Sequence, residues 1–356
     1  MASREEVDWG AFQRIAREND LAPLLYYTLR GTTIVPPTIH EALQDAYYYV
    51  AGQNSIRLHE MDRILAALAE ERVPVLLLKG AAFVETVYGN PGLRPMVDID
   101  LLVDRVAAAE RALVKAGYEM STADPWPGFS WRYRNSVAYS RLSGRGLPWL
   151  VGLHVRLFDV PYYERIPMDE WFARGIAAPG LGHGACVPAP EDHLVYLCGH
   201  LALHHQYDPT LLRFVDIALL IQRTGDNLDW DQVVDRGVAW RLVIPLQRVI
   251  TRLEGLWPGT LPPDVVTRIA QLRPTGSERR VHQWVTAHPR SPMADTILAL
   301  TTMPGFGRRL RFLLEVGFPS PDYMSRRYCS DRPGLWPFAY LRRAGLAIGY
   351  LFRGAR

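Results

Sequence analysis

Between residues 9 and 30, Phe12, Ile15, Ala16, Leu21, Leu24, Leu25 and Leu29 recur at spacings near three and four, the period of a helix, and predict two short helices. Pro36 and Pro37 break the chain. From 38 to 71, Leu43, Tyr47, Ile56, Met61, Ile64, Leu65 and Leu68 return at helical spacing and predict one long helix, with the cluster Tyr47 to Tyr49 read as core. The period changes at Val73. VPVLLLKG is a short apolar run closed by glycine, the pattern of a buried strand, and a helix is predicted from Ala81 to Tyr88. GNPGLRP then supplies turn chemistry, and in MVDIDLLVD the residues Val97, Ile99 and Leu101 alternate with Asp98, Asp100 and Leu102 at strand spacing. A helix over 104–116 and strands over Tyr118–Met120, Val137–Leu142 and Trp149–Val155 complete a small mixed sheet.

From Pro190 onward the period is helical again, in EDHLVYLCGHLALHH, TLLRFVDIALLIQRTG, DWDQVVDRGVAW and RLVIPLQRVITRLEGL. The pattern thus predicts an α+β protein, with an N-terminal helical region over 1–72, a sheet-bearing core over 73–165 and a C-terminal helical region over 166–356. No internal repeat or low-complexity segment is found.

Composition narrows the function. Of 356 residues, 48% are hydrophobic and 22% charged, the balance of a folded globular protein, and the net charge of +3 is too small for a non-specific nucleic-acid binder, so no specific nucleic-acid partner is expected. Cys186, Cys198 and Cys329 form no closely spaced framework and no CxxC occurs, which excludes a disulfide scaffold and a thiolate zinc site. The N-terminal residues lack the apolar core of a signal peptide, and no run of about 18 apolar residues occurs, so a cytoplasmic protein is expected. Only Lys79 and Lys115 are lysines among the 40 basic residues. A lysine kept against so strong an arginine preference marks a position where a compact ammonium is wanted.

Asp98 and Asp100 are the sharpest chemical feature. At i and i+2 on a strand their carboxylates project from one face, a pair of hard oxygen ligands suited to Mg²⁺ or Mn²⁺, and the apolar flanks Val97, Ile99, Leu101, Leu102 and Val103 imply burial that a cation would offset. Upstream, Gly80 stands at a strand-to-helix turn where backbone N–H groups can approach a phosphate, with Lys79 beside it. Arg94, four residues before Asp98, can reach a triphosphate with both arms of its fork.

LLLKGAAFVETVYGNPGLRPMVDIDLLV resembles the core motif of the uncharacterised bacterial nucleotidyltransferase family within the DNA polymerase β-like superfamily. WGAFQRIARENDLAPLLYYTLR resembles that family's N-terminal helices, LVGLHVRLF its LHW-type strand, and PEDHLVYLCGHLALHH, FVDIALLI and LDWDQVV its C-terminal region, so the likeness covers about residues 8 to 250. The resemblance implies a nucleotidyltransferase fold and Mg²⁺-dependent transfer of a nucleoside monophosphate from an NTP, with ATP the expected donor, to a small-molecule or peptide acceptor, with release of pyrophosphate. It implies that Gly80 lies against the phosphates and that Asp98 and Asp100 are metal ligands.

The chain departs from that pattern at one place. The superfamily usually carries a third carboxylate on a neighbouring strand, and in WLVGLHVRL the corresponding position is Gly152. Either His154, one step along the same face, serves as base or ligand, or an acid such as Asp159 or Glu164 swings in, or the protein is a degenerate nucleotide-binding or scaffold protein. The loop also reads KGAA where Gly-Ser is commoner in the superfamily.

His200 and His204 stand at i and i+4 on one helix face, near His193 and His205. A zinc site would need a further ligand, and the glutamate of HExxH is missing. The preferred reading puts His200 and His204 on the cleft, near acceptor or phosphates, with Arg213 and Asp216 pairing on the next helix. Residues 301–356 carry ten arginines against Glu315, Asp322 and Asp331, and their end, GLWPFAYLRRAGLAIGYLFRGAR, offers weak contact with a membrane surface.

Overall fold

A computed structural model describes residues 7–143, 148–206, 210–288, 290–328 and 337–343. The chain opens with α1 (Trp9–Glu18), α2 (Ala22–Leu29) and the long α3 (Pro37–Glu70). Asp8 caps α1 by accepting from the N–H of Ala11, and proline stands in the first turn of α2 and α3, where its missing N–H costs no helical bond. Phe12, Ala16, Ala22, Tyr26 and Leu43 join these helices in a small core of their own. Tyr48 and Tyr49 project into solvent, because a helix this long cannot bury three consecutive residues on one face.

The sheet-bearing segment follows as β1 (Val75–Leu78), α4 (Lys79–Thr86), β2 (Ile99–Val103), α5 (Val106–Lys115), β3 (Glu119–Met120), α6 (Phe129–Tyr133), β4 (Ser136–Leu142) and β5 (Pro148–His154). Then come α7 (Met168–Ala173), β6 (Ile176–Ala177) and β7 (Cys186–Val187), and these two short strands, which no periodicity announces, extend the sheet. Its order is β3-β4-β5-β2-β1-β7-β6. The apolar strands β1 and β2 are buried along their whole length near the middle. They run antiparallel, with Leu78 opposite Asp100, and β5 lies parallel to β2 with Gly152 opposite Asp100 and His154 opposite Leu102. Val97, expected in the buried run, lies before β2 begins and is exposed.

The remaining helices are α8 (Pro190–Leu203), α9 (Leu211–Thr224), α10 (Trp230–Ala239), α11 (Val243–Leu256), α12 (Pro263–Gln271), α13 (Gly276–Ala287), α14 (Pro292–Thr302), α15 (Phe306–Gly317) and α16 (Pro321–Tyr328). Helix α8 is buried almost all round and crosses the sheet end that carries Lys79. Asp192 in its first turn, fully buried, takes ion pairs from Arg174 and Arg236 and so fixes its start. One continuous apolar core runs from Met61 in α3 through the sheet to Leu298 in α14. Cys329 and most of the C-terminal basic segment lie outside the described residues. Among the described residues, no helix is long and apolar enough to cross a membrane.

Candidate active site

Three stretches distant in sequence meet where β1, β2 and β5 end. Asp98 lies just before β2 and Asp100 within it, close enough for the two carboxylates to act on each other electrostatically. Asp100 is buried, and both of its oxygens are engaged: Lys79 Nζ lies 2.7 Å from Oδ2 and His154 Nε2 lies 2.8 Å from Oδ1. Burial alone would raise its pKa, but the Lys79 ammonium and His154 outweigh this and hold the carboxyl well below the usual range. The same contact raises Lys79, again against burial. Lys79 itself sits in the left-handed backbone region at φ +50°, a strained conformation for a side chain of this size, and its N–H donates to His193 Nε2 at 3.3 Å. Buried His193 is pushed down to about 3 by that burial and by nearby Arg94 and Lys79, so it is a neutral acceptor.

Asp98 has no ion pair among the described residues, and its side chain opens to solvent at the mouth of the cleft. Surrounding protein and the neighbouring Asp100 nonetheless push its pKa up. Asp98 thus offers a carboxylate that no described residue pairs, beside a buried ionised one, the donor type a hard divalent cation takes. The pair therefore fits one Mg²⁺ or Mn²⁺, with water and phosphate oxygens completing the shell.

The glycines serve packing. A Cβ at Gly152 would stand 2.4 Å from Asp100 Oδ1 and 3.2 Å from His154 Nε2, so glycine is what lets His154 reach across to Asp100. Gly152→Asp cannot add a third carboxylate without separating that pair. The other ring nitrogen of His154, Nδ1, is buried without a hydrogen-bond partner, so in this conformation the ring positions Asp100 and offers no free nitrogen to an acceptor in the cleft. Asp159 and Glu164 are held elsewhere. Asp159 accepts from the Asn135 N–H at 2.9 Å and pairs with Arg290 at 3.5 Å, while Glu164 takes both arms of Arg308.

Arg94 departs furthest from the sequence expectation. Its Nε and Nη2 donate to the two oxygens of Asp216 at 2.9 and 2.8 Å, Nη1 donates to Pro95 O at 3.1 Å, and Tyr88 Oη adds a 2.7 Å bond to Asp216 Oδ1. The fork is buried and spent on tying the GNPGLRP loop to α9. That loop is fixed from its other side by α3, where Asn54 Nδ2 donates to Pro91 O and Arg94 O, both at 2.7 Å. Gly80 belongs to the same packing: a Cβ there would lie 2.2 Å from Arg94 Nη1, so the guanidinium fills the space that a phosphate cradle would leave open. Asp216 is thus taken, and Arg213 has no ion pair among the described residues, contrary to the expected Arg213–Asp216 pair.

The family profile described as uncharacterised nucleotidyltransferase matches residues 5–257, which include every residue of this carboxylate-centred cluster. The chain belongs to that nucleotidyltransferase family. No curated protein matches it. In this family member the helix face of α8 runs beside the carboxylates: Tyr196, near Lys79, is raised to about 12 by burial, and His200 lines a narrow crevice with Lys79, Arg94, Arg213 and Asp216. His204 stacks on His200 with ring centroids 4.8 Å apart and accepts from Arg290 Nη1 through Nδ1 at 2.9 Å. His205 brings a third imidazole, with ligating atoms of the trio within 4.8 Å of one another, the ligand the sequence reading lacked. Burial holds His200 well below its ordinary value, His204 at about 4 and His205 at about 3, with the Lys79 charge contributing to each. Surrounding cations make the trio a poor seat for another cation. A larger apolar groove of about 950 Å³, lined by Leu25, Leu219, Trp230 and Trp257, lies on the far side of α9 and contains none of the carboxylates of the cluster.

Proposed function

We propose that this nucleotidyltransferase moves a nucleoside monophosphate from ATP to a small-molecule or peptide acceptor, using Mg²⁺ or Mn²⁺ held by Asp98 and Asp100. The observation that carries this reading is the uncompensated Asp98 carboxylate beside Asp100 at the open end of the β1–β2 pair. An acceptor oxygen or nitrogen attacks the α-phosphorus, the bond from that phosphorus to the bridging oxygen breaks, pyrophosphate leaves and the acceptor's proton passes to solvent. The bound cation supplies charge neutralisation at the reacting phosphate. Asp100 is preset as an anion by its two partners, His154 fixes its orientation, and in this reading Lys79, which touches it, would turn to a phosphate when the cation takes over Asp100.

A nucleotide-binding protein without turnover is the second reading. Gly152 and the compensation of Asp100 by Lys79 and His154 favour it. Incubation with ATP labelled at the α-phosphate, Mg²⁺ and cell extract separates the two. Nucleotidyl transfer predicts label on an acceptor with matching pyrophosphate. Tight ATP binding with no pyrophosphate supports the second reading, and protein-dependent formation of labelled ADP with a phosphorylated acceptor that carries no label contradicts both.

A further inference from the structure

The most exposed large apolar side chain among the described residues is Phe306, at 81%, and it opens helix α15. Leu310, Leu313 and Leu314 on the same helix are exposed as well. Helix positions advance by about 100° per residue, so 306, 310, 313 and 314 fall on one side of α15. Phe312 and Val316 fall on the other, where they pack with Phe129 and Tyr133 of α6. The helix is therefore held by one apolar face and turns a second apolar face outward. Exposed apolar residues continue past its end: Phe318 follows directly, and Phe338 and Leu341 stand on a segment that Arg343 Nη2 anchors to Val316 O at 2.8 Å. An exposed apolar surface of this kind marks a place where something docks.

The charges around this face identify its partner. By the same helical angle Arg309 and Arg311 stand on its two opposite borders, and both are exposed. The acid of α15, Glu315, is turned toward α6, where it accepts from Arg132 Nη2 at 3.0 Å as well as from Arg311 Nε at 2.9 Å. Helix α16 ends in the exposed Arg326 and Arg327, and Arg342 is exposed beside Leu341. Residues 301–356 as a whole carry ten arginines against Glu315, Asp322 and Asp331. A second copy of the chain laid on this face would set like-charged borders against one another, which costs free energy. An apolar stripe bordered by arginines is instead the pattern of a helix lying in the plane of an anionic bilayer: Phe and Leu side chains enter the acyl boundary while guanidinium groups stay with the headgroup phosphates.

We propose that the outer face of α15, with the exposed apolar residues that follow it, docks the protein on a membrane surface rich in anionic lipid. The inference is independent of the nucleotidyl-transfer reading, and it assigns to an upstream helix the weak membrane contact expected of residues 334–356.

Sedimentation of the full chain with vesicles of phosphatidylcholine alone, and with vesicles of an equal mixture of phosphatidylcholine and phosphatidylglycerol, tests this. Binding to the mixed vesicles and not to the neutral ones is expected, and it should weaken as salt is raised, because exposed charges are screened. Leu310→Glu and Phe306→Ser should each lower the partition coefficient by about tenfold, the worth of one large apolar side chain leaving the interface, with the unfolding midpoint unchanged. Equal binding to neutral and anionic vesicles overturns the proposal, as does binding that neither substitution weakens, or no binding at all. A lower unfolding midpoint in both variants assigns the face to the chain's own C-terminal residues. A dimer that Leu310→Glu converts to a monomer at the same concentration assigns it to a second copy, and either of these results also overturns the proposal.

Discussion

Asp98→Asn and Asp100→Asn are expected to abolish transfer alike and to move stability in opposite directions. Each removes a ligand to the divalent cation that would neutralise the reacting phosphate, and the rate should fall at least about a hundredfold, roughly 3 kcal/mol of transition-state stabilisation. Their structural settings differ. Asp98 is unpaired and its pKa is raised, so the folded protein pays for its ionisation. Its protonated form is favoured by folding, which makes the stabilising effect present at low pH and lost as pH rises through the folded pKa. Asp98→Asn should therefore raise the denaturation midpoint at neutral pH, with the difference fading toward about pH 3, where both forms are uncharged. Asp100 is the reverse. Its depressed pKa means that its stabilising effect is present above the ordinary carboxylate range and lost as pH falls. Asp100→Asn strands the buried Lys79 ammonium and should cost about 3–5 kcal/mol, the penalty of breaking a buried pair by removing one partner. Chemical denaturation of the two variants at neutral and acid pH measures both signs. Equal stability changes in the two variants would mean that Lys79 and His154 do not compensate Asp100.

Arg94→Ala or Asp216→Ala should destabilise the protein by about 3–5 kcal/mol, more than any change to an exposed charge of the site. The reason is the completeness of the arrangement: two parallel bonds between guanidinium and carboxylate, a third from Tyr88, and almost no solvent. Removing Arg94 also empties the space over Gly80 and frees the loop before Asp98 from α9. The matching double variant Arg94→Met with Asp216→Leu should recover much of the loss, because an apolar pair leaves no buried charge behind. Loss of ATP affinity by Arg94→Gln at unchanged denaturation midpoint would return Arg94 to the phosphates. Denaturation curves for the single and double variants, set beside their ATP affinities, decide it.

Much of the core was legible in the sequence because it rests on local periodicity. The apolar run of β1, the alternation before and through β2, and the strand carrying Gly152 and His154 fall where the spacing placed them, and so do α1 to α5 and α8 to α11. The carboxylate pair was legible because two acids two positions apart at the start of a strand lie close together, although β2 begins only at Ile99. What escaped was pairing over long separation. Arg94 and Asp216 are 122 positions apart, and Lys79 and His193 meet across 114, so no spacing rule connects them. Two contacts differ from the sequence expectation for that reason: the Arg94 fork is held by Asp216, and Arg213 has no ion pair among the described residues. Gly80 and Gly152 looked like a phosphate turn and a missing acid. In the fold both are places where another residue's side chain must come close, Arg94 over one and the Asp100–His154 pair over the other. The two-residue strands β6 and β7 are too short to carry any period, and they exist because β1 offers them an edge.

Pyrophosphate release from ATP in the presence of Mg²⁺ and cell extract, compared between wild type and Asp98→Asn, tests the central claim most directly, because this variant alters the exposed, unpaired carboxylate while leaving the buried pairs intact. Mg²⁺-dependent release by the wild type is expected, with a loss of at least about a hundredfold in a variant that is folded and no less stable. Release that persists undiminished in Asp98→Asn, or that proceeds equally well without a divalent cation, would contradict it.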